Sequence, residues 1–439
     1  MSAVLRRGVF VGGLTGLLFG FDTAVIAGTT HGLSVAFQLS PAALGWTVSS
    51  ALWGTLAGAL LAGYPGDRYG ARNCLRAIAG MYLLSALGSF AAPTLGLFIA
   101  ARVLGGLAIG ASTVLAPGYL AEIAPAARRG AMVGVFQLNV VIGILVAYLS
   151  NYAIGAMDLG TGDWRWKFLV AAVPAAILAV LLLTIPQSPR WLAVRGRARE
   201  AAEILTRIGI RDIAGELAQY VQGHSSAQGM LARLSWKRHS RPMLLAMAVA
   251  AFNQLSGINA ILYYLNDIFA AAGFGSVSAA GQAVIIGATN LVFTVMALAV
   301  IDRFGRRSLL RVGSVGLIAA LAAVAYIELS GTHQGWLVWM LVLFIASFAF
   351  SQGAVIWVYI SEIFPTEVRS RGQGLGASTH WLMDALIATL FPIAASYSKG
   401  LPFVFFALAM VAQLIVVTLV FPETKRLRLE EMESALERV

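Results

Sequence analysis

Residues 66–73 read GDRYGARN, and residues 301–308 read IDRFGRRS. Each sets an acid and arginines about a central glycine at the end of an apolar run. A second pair follows in the same order: YLAEIAPAARRG (119–130) and YISEIFPTEVRSRG (359–372). Two loops repeated in one order mean that one half of the chain repeats the other in parallel. That repeat decides the architecture.

Outward from these loops, the chain is a series of apolar runs near the roughly 20 residues that a bilayer-spanning helix needs. Twelve can be read, from 8–28 to 401–421, and they fall six and six about one long polar stretch. The expected divisions are therefore a first six-helix half (1–186), a helical insert (187–241), a second six-helix half (242–421) and a tail (422–439). Within the insert, Ala201, Ile204, Leu205 and Ile208 recur at helical spacing, so GRAREAAEILTRIGI reads as a short amphipathic helix. Two parallel-repeated halves with a binding site at their interface are the plan of a secondary transporter.

Composition excludes the soluble alternatives. Hydrophobic residues make up 59% of 439 and charged residues 12%, against roughly 45–50% and about 25% in soluble domains. The mean hydropathy is +0.80. The single cysteine, Cys74, rules out an intramolecular disulfide framework and a thiolate metal cluster. A net charge of +11 could suggest nucleic acid, but the basic residues sort to one side of a twelve-span topology. By the positive-inside rule this places both termini and the 187–241 insert in the cytoplasm. The charge is an orientation signal, and no nucleic-acid partner is expected.

Asp22 stands out in LTGLLFGFDTAVIAG (14–28). A carboxylate at mid-membrane costs about 2.5–3.5 kcal/mol on insertion scales, so it needs a partner and a purpose. Arg102, six residues into the fourth run, is the one mid-segment arginine. A carboxylate facing a guanidinium is favoured as the charged form, while desolvation acts the other way. A conformational change that parts such a pair changes proton affinity, as coupling requires.

The paired loops, together with PQSPRWL (186–192), NQLSGINAILYY (253–264) and PETK (422–425), resemble the sugar porter branch of the major facilitator superfamily over nearly the full chain. The resemblance implies an all-α integral membrane protein with the major facilitator fold. It has twelve transmembrane helices in two six-helix halves and a cytoplasmic helical insert between them. It implies a transporter rather than an enzyme, in a plasma membrane (the inner membrane of a bacterial cell). No cofactor or metal is expected, and a monomer should suffice for function. Proton symporters of the family carry an Asp and an Arg at the positions of Asp22 and Arg102, so Asp22 is expected to carry the proton and Arg102 to be its switchable partner.

A sugar presents hydroxyls that donate and accept, so its site needs side-chain amides, which do both, and aromatic faces for the ring. Amides stand inside apolar runs at Gln137, Asn253, Gln254, Asn259 and Asn290. The resemblance places sugar-binding positions at Gln137, Gln254, Asn259, Tyr263, Asn290 and Trp357, with Phe19, Gly353 and Trp381 in the same lining. Three departures from the family pattern bear on the site. Asn253 replaces the first Gln of a QQ pair, His380 stands where xylose-type symporters carry Gln, and Asp384 replaces a common Asn. His380 and Asp384 share one helix face and form a candidate second titratable site. LSGIN also puts Ser and Gly in mid-segment, which suggests an interrupted helix.

The acids and arginines of the repeated loops can pair when the cytoplasmic side is closed and part when it opens. The candidates for this gate network are Asp67, Glu122, Arg129, Asp302, Arg306, Glu362 and Arg369. Gln187 replaces the family's usual Glu beside them, which should weaken the network. The leading function is proton-coupled import of a monosaccharide, hexose or pentose, by alternating access. A sugar uniporter, or a polyol or cyclitol transporter, are the alternatives.

Overall fold

The computed structural model describes residues 2–124, 129–210, 212–229, 234–365 and 368–425. Its regular structure is helical throughout, with no strand among the described residues. In hydrocarbon every backbone N–H and C=O must bond internally, and a continuous helix achieves this.

Eleven helical stretches among the described residues are long and apolar enough to cross a membrane. The first six are Ala3–Gly28, Pro41–Leu61, Ala71–Ala91, Leu95–Ile123, Gly134–Gly155 and Gly160–Leu181. The others are Trp236–Tyr263, Ser276–Ile301, Arg306–Ser330, Gln334–Glu362 and Leu401–Leu419. A twelfth long helix, Arg369–Tyr397, precedes the last of these. Its apolar character is diluted by His380 and Asp384. In chain order it is the eleventh span and Leu401–Leu419 the twelfth.

Two spans are broken where the sequence carries small polar residues. The seventh stops at Leu255 and resumes at Ile258. Gly257 lies between at φ +82°, and a Cβ there would fall 2.3 Å from the Phe406 ring. Ser256 fills the gap in hydrogen bonding: its hydroxyl donates to the Asn253 carbonyl (2.6 Å) and accepts from the Ile258 N–H (3.3 Å). The LSGIN interruption is thus present in the fold. After Tyr263 a separate short helix, Leu265–Ala271, continues beyond the span. The tenth span breaks at Ser351, between Leu337–Phe350 and Gln352–Glu362.

The chain divides into two compact units. One comprises Met1–Thr23, Trp53–Ile144 and Phe168–Leu231; the other comprises Ala24–Leu52, Leu145–Lys167 and Ala232–Val439. In the first unit the insert's helix Ala198–Ile208 buries all four residues expected to face inward, Ala201, Ile204, Leu205 and Ile208. They join a core with Leu75, Ile78, Leu182, Ile185 and Leu192. Burying the Ile and Leu side chains is worth about 1.5–3 kcal/mol each in water, which holds the insert to the end of the helical bundle.

Also in the first unit, the first and fifth spans touch backbone to backbone. A Cβ at Gly20 would lie 1.8 Å from the Val140 carbonyl oxygen, and one at Gly143 would lie 2.2 Å from that of Leu17. Small residues at such crossings let membrane helices approach closely. This contact fixes the part of the first span that carries Asp22.

In the second unit, residues 24–52 and 145–167 are fastened to the later helices. Tyr148 donates to the Leu262 carbonyl at 3.0 Å, and Thr389 donates to the Ser49 hydroxyl at 2.7 Å. Asn151 donates to the Val25 carbonyl at 3.1 Å, and Lys167 reaches the Gly28 carbonyl at 2.8 Å.

Candidate functional site

Asp22 and Arg102 meet in the first unit. The guanidinium grips the carboxylate with two bonds, Nη1 to Oδ1 at 2.6 Å and Nη2 to Oδ2 at 3.0 Å. Both residues are buried, at 7% and 3% exposure. The guanidinium also lies over the Phe168 ring, 5.0 Å from its centroid. Bidentate geometry makes the contact short and directional, and parting it would leave a buried charge uncompensated. Phe19, one helical turn before Asp22, is half-buried against Phe136 with ring centroids 6.5 Å apart. Gln137, next to Phe136 on the fifth span, is half-buried as well.

The other substrate-site candidates lie in the second unit, and most fall into two bonded groups. Asn253 donates to the Gln352 carbonyl at 3.5 Å, and Gln254 Nε2 reaches Asn253 Oδ1 at 3.4 Å. The same Gln254 nitrogen lies 3.1 Å from His380 Nε2. His380 is packed between two indoles, with centroids 5.1 Å from Trp357 and 5.1 Å from Trp381. Asn259 Nδ2 and the Tyr263 hydroxyl both donate to Asp384 Oδ2, at 2.8 Å and 3.2 Å. His380 and Asp384 therefore serve different neighbours, although they share a helix face. Trp357 is the accessible aromatic of the group at 39% exposure. Asn290 accepts from Thr294 on its own helix at 3.5 Å, and Gly353 lies against Phe348.

Sequence reasoning passed over a buried amide pair beside this cluster. Gln352 Nε2 donates to Gln413 Oε1 at 2.9 Å and touches the Met410 sulfur. The signal was available, since each is an amide inside an apolar run. Hydropathy does not separate an amide that bridges helices from one that meets a ligand.

At the repeated loops, each unit makes its own ties. In the second unit Arg306 holds Glu362 through Nη2–Oε1 at 2.8 Å and Nε–Oε2 at 3.1 Å. Glu423 of PETK, also unremarked in the sequence, accepts from the backbone N–H of Arg306 (2.8 Å) and of Arg307 (3.1 Å). Thr424 adds a 2.6 Å bond to Glu362. Arg369 donates to the Phe364 carbonyl at 3.4 Å.

In the first unit the Asp67 carbonyl accepts from Trp191 Nε1 at 2.9 Å and from Arg195 at 3.0 Å. Glu122 lies beside Ser188 and Arg190. Gln187 accepts from Arg72 N and Ser188 N and donates to the Tyr69 carbonyl. Its amide thus both donates and accepts, which a carboxylate could not do. The side chains of Arg129 and Asp302 lie outside the described residues. Among the described residues no group of three or more His, Cys, Asp or Glu side chains could hold a metal ion.

Charges and amides held in mid-membrane by helix packing are the equipment of a transport path, and the class this defines is a secondary transporter. The twelve-helix plan with paired loops narrows it further. The chain belongs to the sugar (and other) transporter family, whose model matches residues 8–436, and it is a sugar porter of the major facilitator superfamily. It is 35% identical to an arabinose-proton symporter of Bacillus subtilis over 96% of this chain and 93% of the relative. It is 33% identical to the D-xylose-proton symporter of Escherichia coli over 97% of this chain and 94% of the relative. Among solved structures, the inward open xylose transporter XylE from E. coli superposes with a TM-score of 0.86. It is 31% identical, and the match covers 98% of this chain and 99% of that one. The protein is a multi-pass membrane transporter, not an enzyme.

Proposed function

We propose that this protein couples proton entry to the import of a monosaccharide by alternating access. The observation that carries the coupling is the buried, bidentate Asp22–Arg102 pair. A proton and the Arg102 guanidinium compete for the same carboxylate. A conformation that keeps the pair together expels the proton, and one that parts it leaves Asp22 to take the proton up. Two access states that differ in this contact bind protons differently, and that difference is what coupling needs. The named proton symporters among the relatives support the reading.

The moving bodies in this reading are 1–186 and 242–421, joined by 187–241, with 422–439 as a tail. Both termini face the cytoplasm, the membrane is the cell inner membrane, and the monomer is the working unit. No nucleic acid takes part. The sugar contacts in this reading are Phe19, Gln137, Gln254, Asn259, Tyr263 and Trp357. Asp67, Glu122, Arg129, Asp302, Arg306, Glu362 and Arg369 close the cytoplasmic side.

Uptake into proteoliposomes with an imposed pH gradient tests the coupling. The wild type should accumulate sugar and alkalinise the medium as it does so. Asp22→Asn should abolish accumulation while keeping exchange of labelled for unlabelled sugar. Full accumulation by Asp22→Asn would refute the assignment.

A further inference from the structure

Asp384 is 1% exposed, and its surroundings hold donors but no positive charge. Oδ2 is filled by Asn259 and Tyr263. Oδ1 is buried and has no hydrogen-bond partner. Among the described residues no Lys, Arg or His ion pair to Asp384 is present; ion pairs of this unit such as Lys167–Asp163 and Arg306–Glu362 lie elsewhere. Its bonded partners are one amide and one phenol, and the His380 imidazole stands one helical turn before it.

That imidazole is also uncharged. With the Gln254 amide in this orientation its N–H donates to His380 Nε2, and a ring nitrogen that accepts carries no proton. Gln254 Oε1 is then left buried without a partner. Asp384 Oδ1 and Gln254 Oε1 are thus both buried acceptors without a hydrogen-bond partner. His380, which holds Gln254, stands one helical turn from Asp384 on a shared face.

A buried charge persists where it is paired and hydrogen-bonded. A neutral sugar can donate a hydroxyl to either acceptor, but it leaves the charge uncompensated. An ammonium has three donors, no acceptor and one positive charge, so it supplies both the donor and the charge that Asp384 Oδ1 lacks.

We propose that Asp384 is a specificity residue for an amine-bearing monosaccharide, whose ammonium it pairs with while the amides and indoles hold the ring. This rests on the sugar-transport reading and names the substrate class of that same site.

The test is competition and direct uptake in proteoliposomes of the full-length protein. The 2-amino, 3-amino and 6-amino derivatives of glucose, galactose and mannose are each compared with the parent sugar at pH 6.5. At least one amino sugar should be preferred over its parent by tenfold or more. Asp384→Asn should bring that ratio down to near one, and Asp384→Glu, which keeps the charge, should retain a preference for the amine. Because the ratio is taken within each protein, a change in expression does not affect it. Should Asp384→Asn fail to fold, the wild-type ratio and that of Asp384→Glu decide alone.

Transport of the parent sugars with no preference for any amine would overturn the proposal and leave the sugar-transport reading standing. A preference that survives Asp384→Asn would overturn the role given to Asp384. Failure to transport any neutral or amino monosaccharide would overturn both.

Discussion

At the scale of single residues, the Asp22–Arg102 pair and the Gly20 contact that steadies it were legible to different degrees. A lone acid in an apolar run demands a partner, and Arg102 was the only basic residue placed at comparable depth. The pairing could therefore be read from the sequence. The close approach at Gly20 could not, because glycine is common in these spans and the sequence does not say which one meets a backbone. The structure singles it out, with a Cβ placed 1.8 Å from the Val140 carbonyl oxygen. Gly20→Val should lower the melting temperature of the detergent-solubilised protein. Overpacking of this kind costs about 1–3 kcal/mol. Gly134→Ala, at a fifth-span glycine where a Cβ meets nothing within 4 Å, should leave the melt unchanged.

At the scale of elements, the spans, the interrupted seventh helix and the amphipathic insert follow from hydropathy and periodicity, and each is present in the fold. The Gln352–Gln413 pair and the capping role of Glu423 did not follow. They depend on which helix faces which, and hydropathy carries no such information.

The short helix Leu265–Ala271 adds an element that a plain count of spans conceals. Its Asp267 is buried, and burial pushes the carboxyl up to about 6, against the Thr30 hydroxyl and His31, which act in the opposite direction. When this contact opens, the group returns towards the ordinary value of about 3.9. The closed arrangement therefore binds the proton more tightly. Its extra stability is complete below about pH 4 and is lost as pH rises through about 6. Exchange of labelled sugar should slow as the medium facing Thr30 is acidified from pH 7 to 5, and Asp267→Asn should flatten that profile.

For the whole molecule, the repeat of the two loops was enough to give the plan of two halves. The ties that hold residues 24–52 to the later helices are invisible in sequence. The reason is local: a buried Ser or Thr can bond to a carbonyl of its own helix, as Thr389 does to Ala385, so nothing marks it as reaching further. The 2.7 Å contact from Thr389 to Ser49 is such a reach. In the proposed cycle, with 1–186 and 242–421 as the moving bodies, this contact breaks once per turnover. A Ser49→Cys/Thr389→Cys double variant should lose uptake on oxidation and regain it on reduction. The only native cysteine, Cys74, is buried, so it offers little background. Uninterrupted transport by the oxidised, cross-linked protein would show that this contact does not open.

The close crossing of the first and fifth spans has a mechanical corollary. Helices that meet backbone to backbone at Gly20 and Gly143 can neither slide nor roll on each other without steric collision, so they travel as one stiff lever. Asp22 is mounted on one arm of that lever and Gln137 on the other. Any displacement that carries the acid away from Arg102 displaces the amide by the same stroke, so under the proposed roles proton and cargo are geared together by a few missing methyl groups.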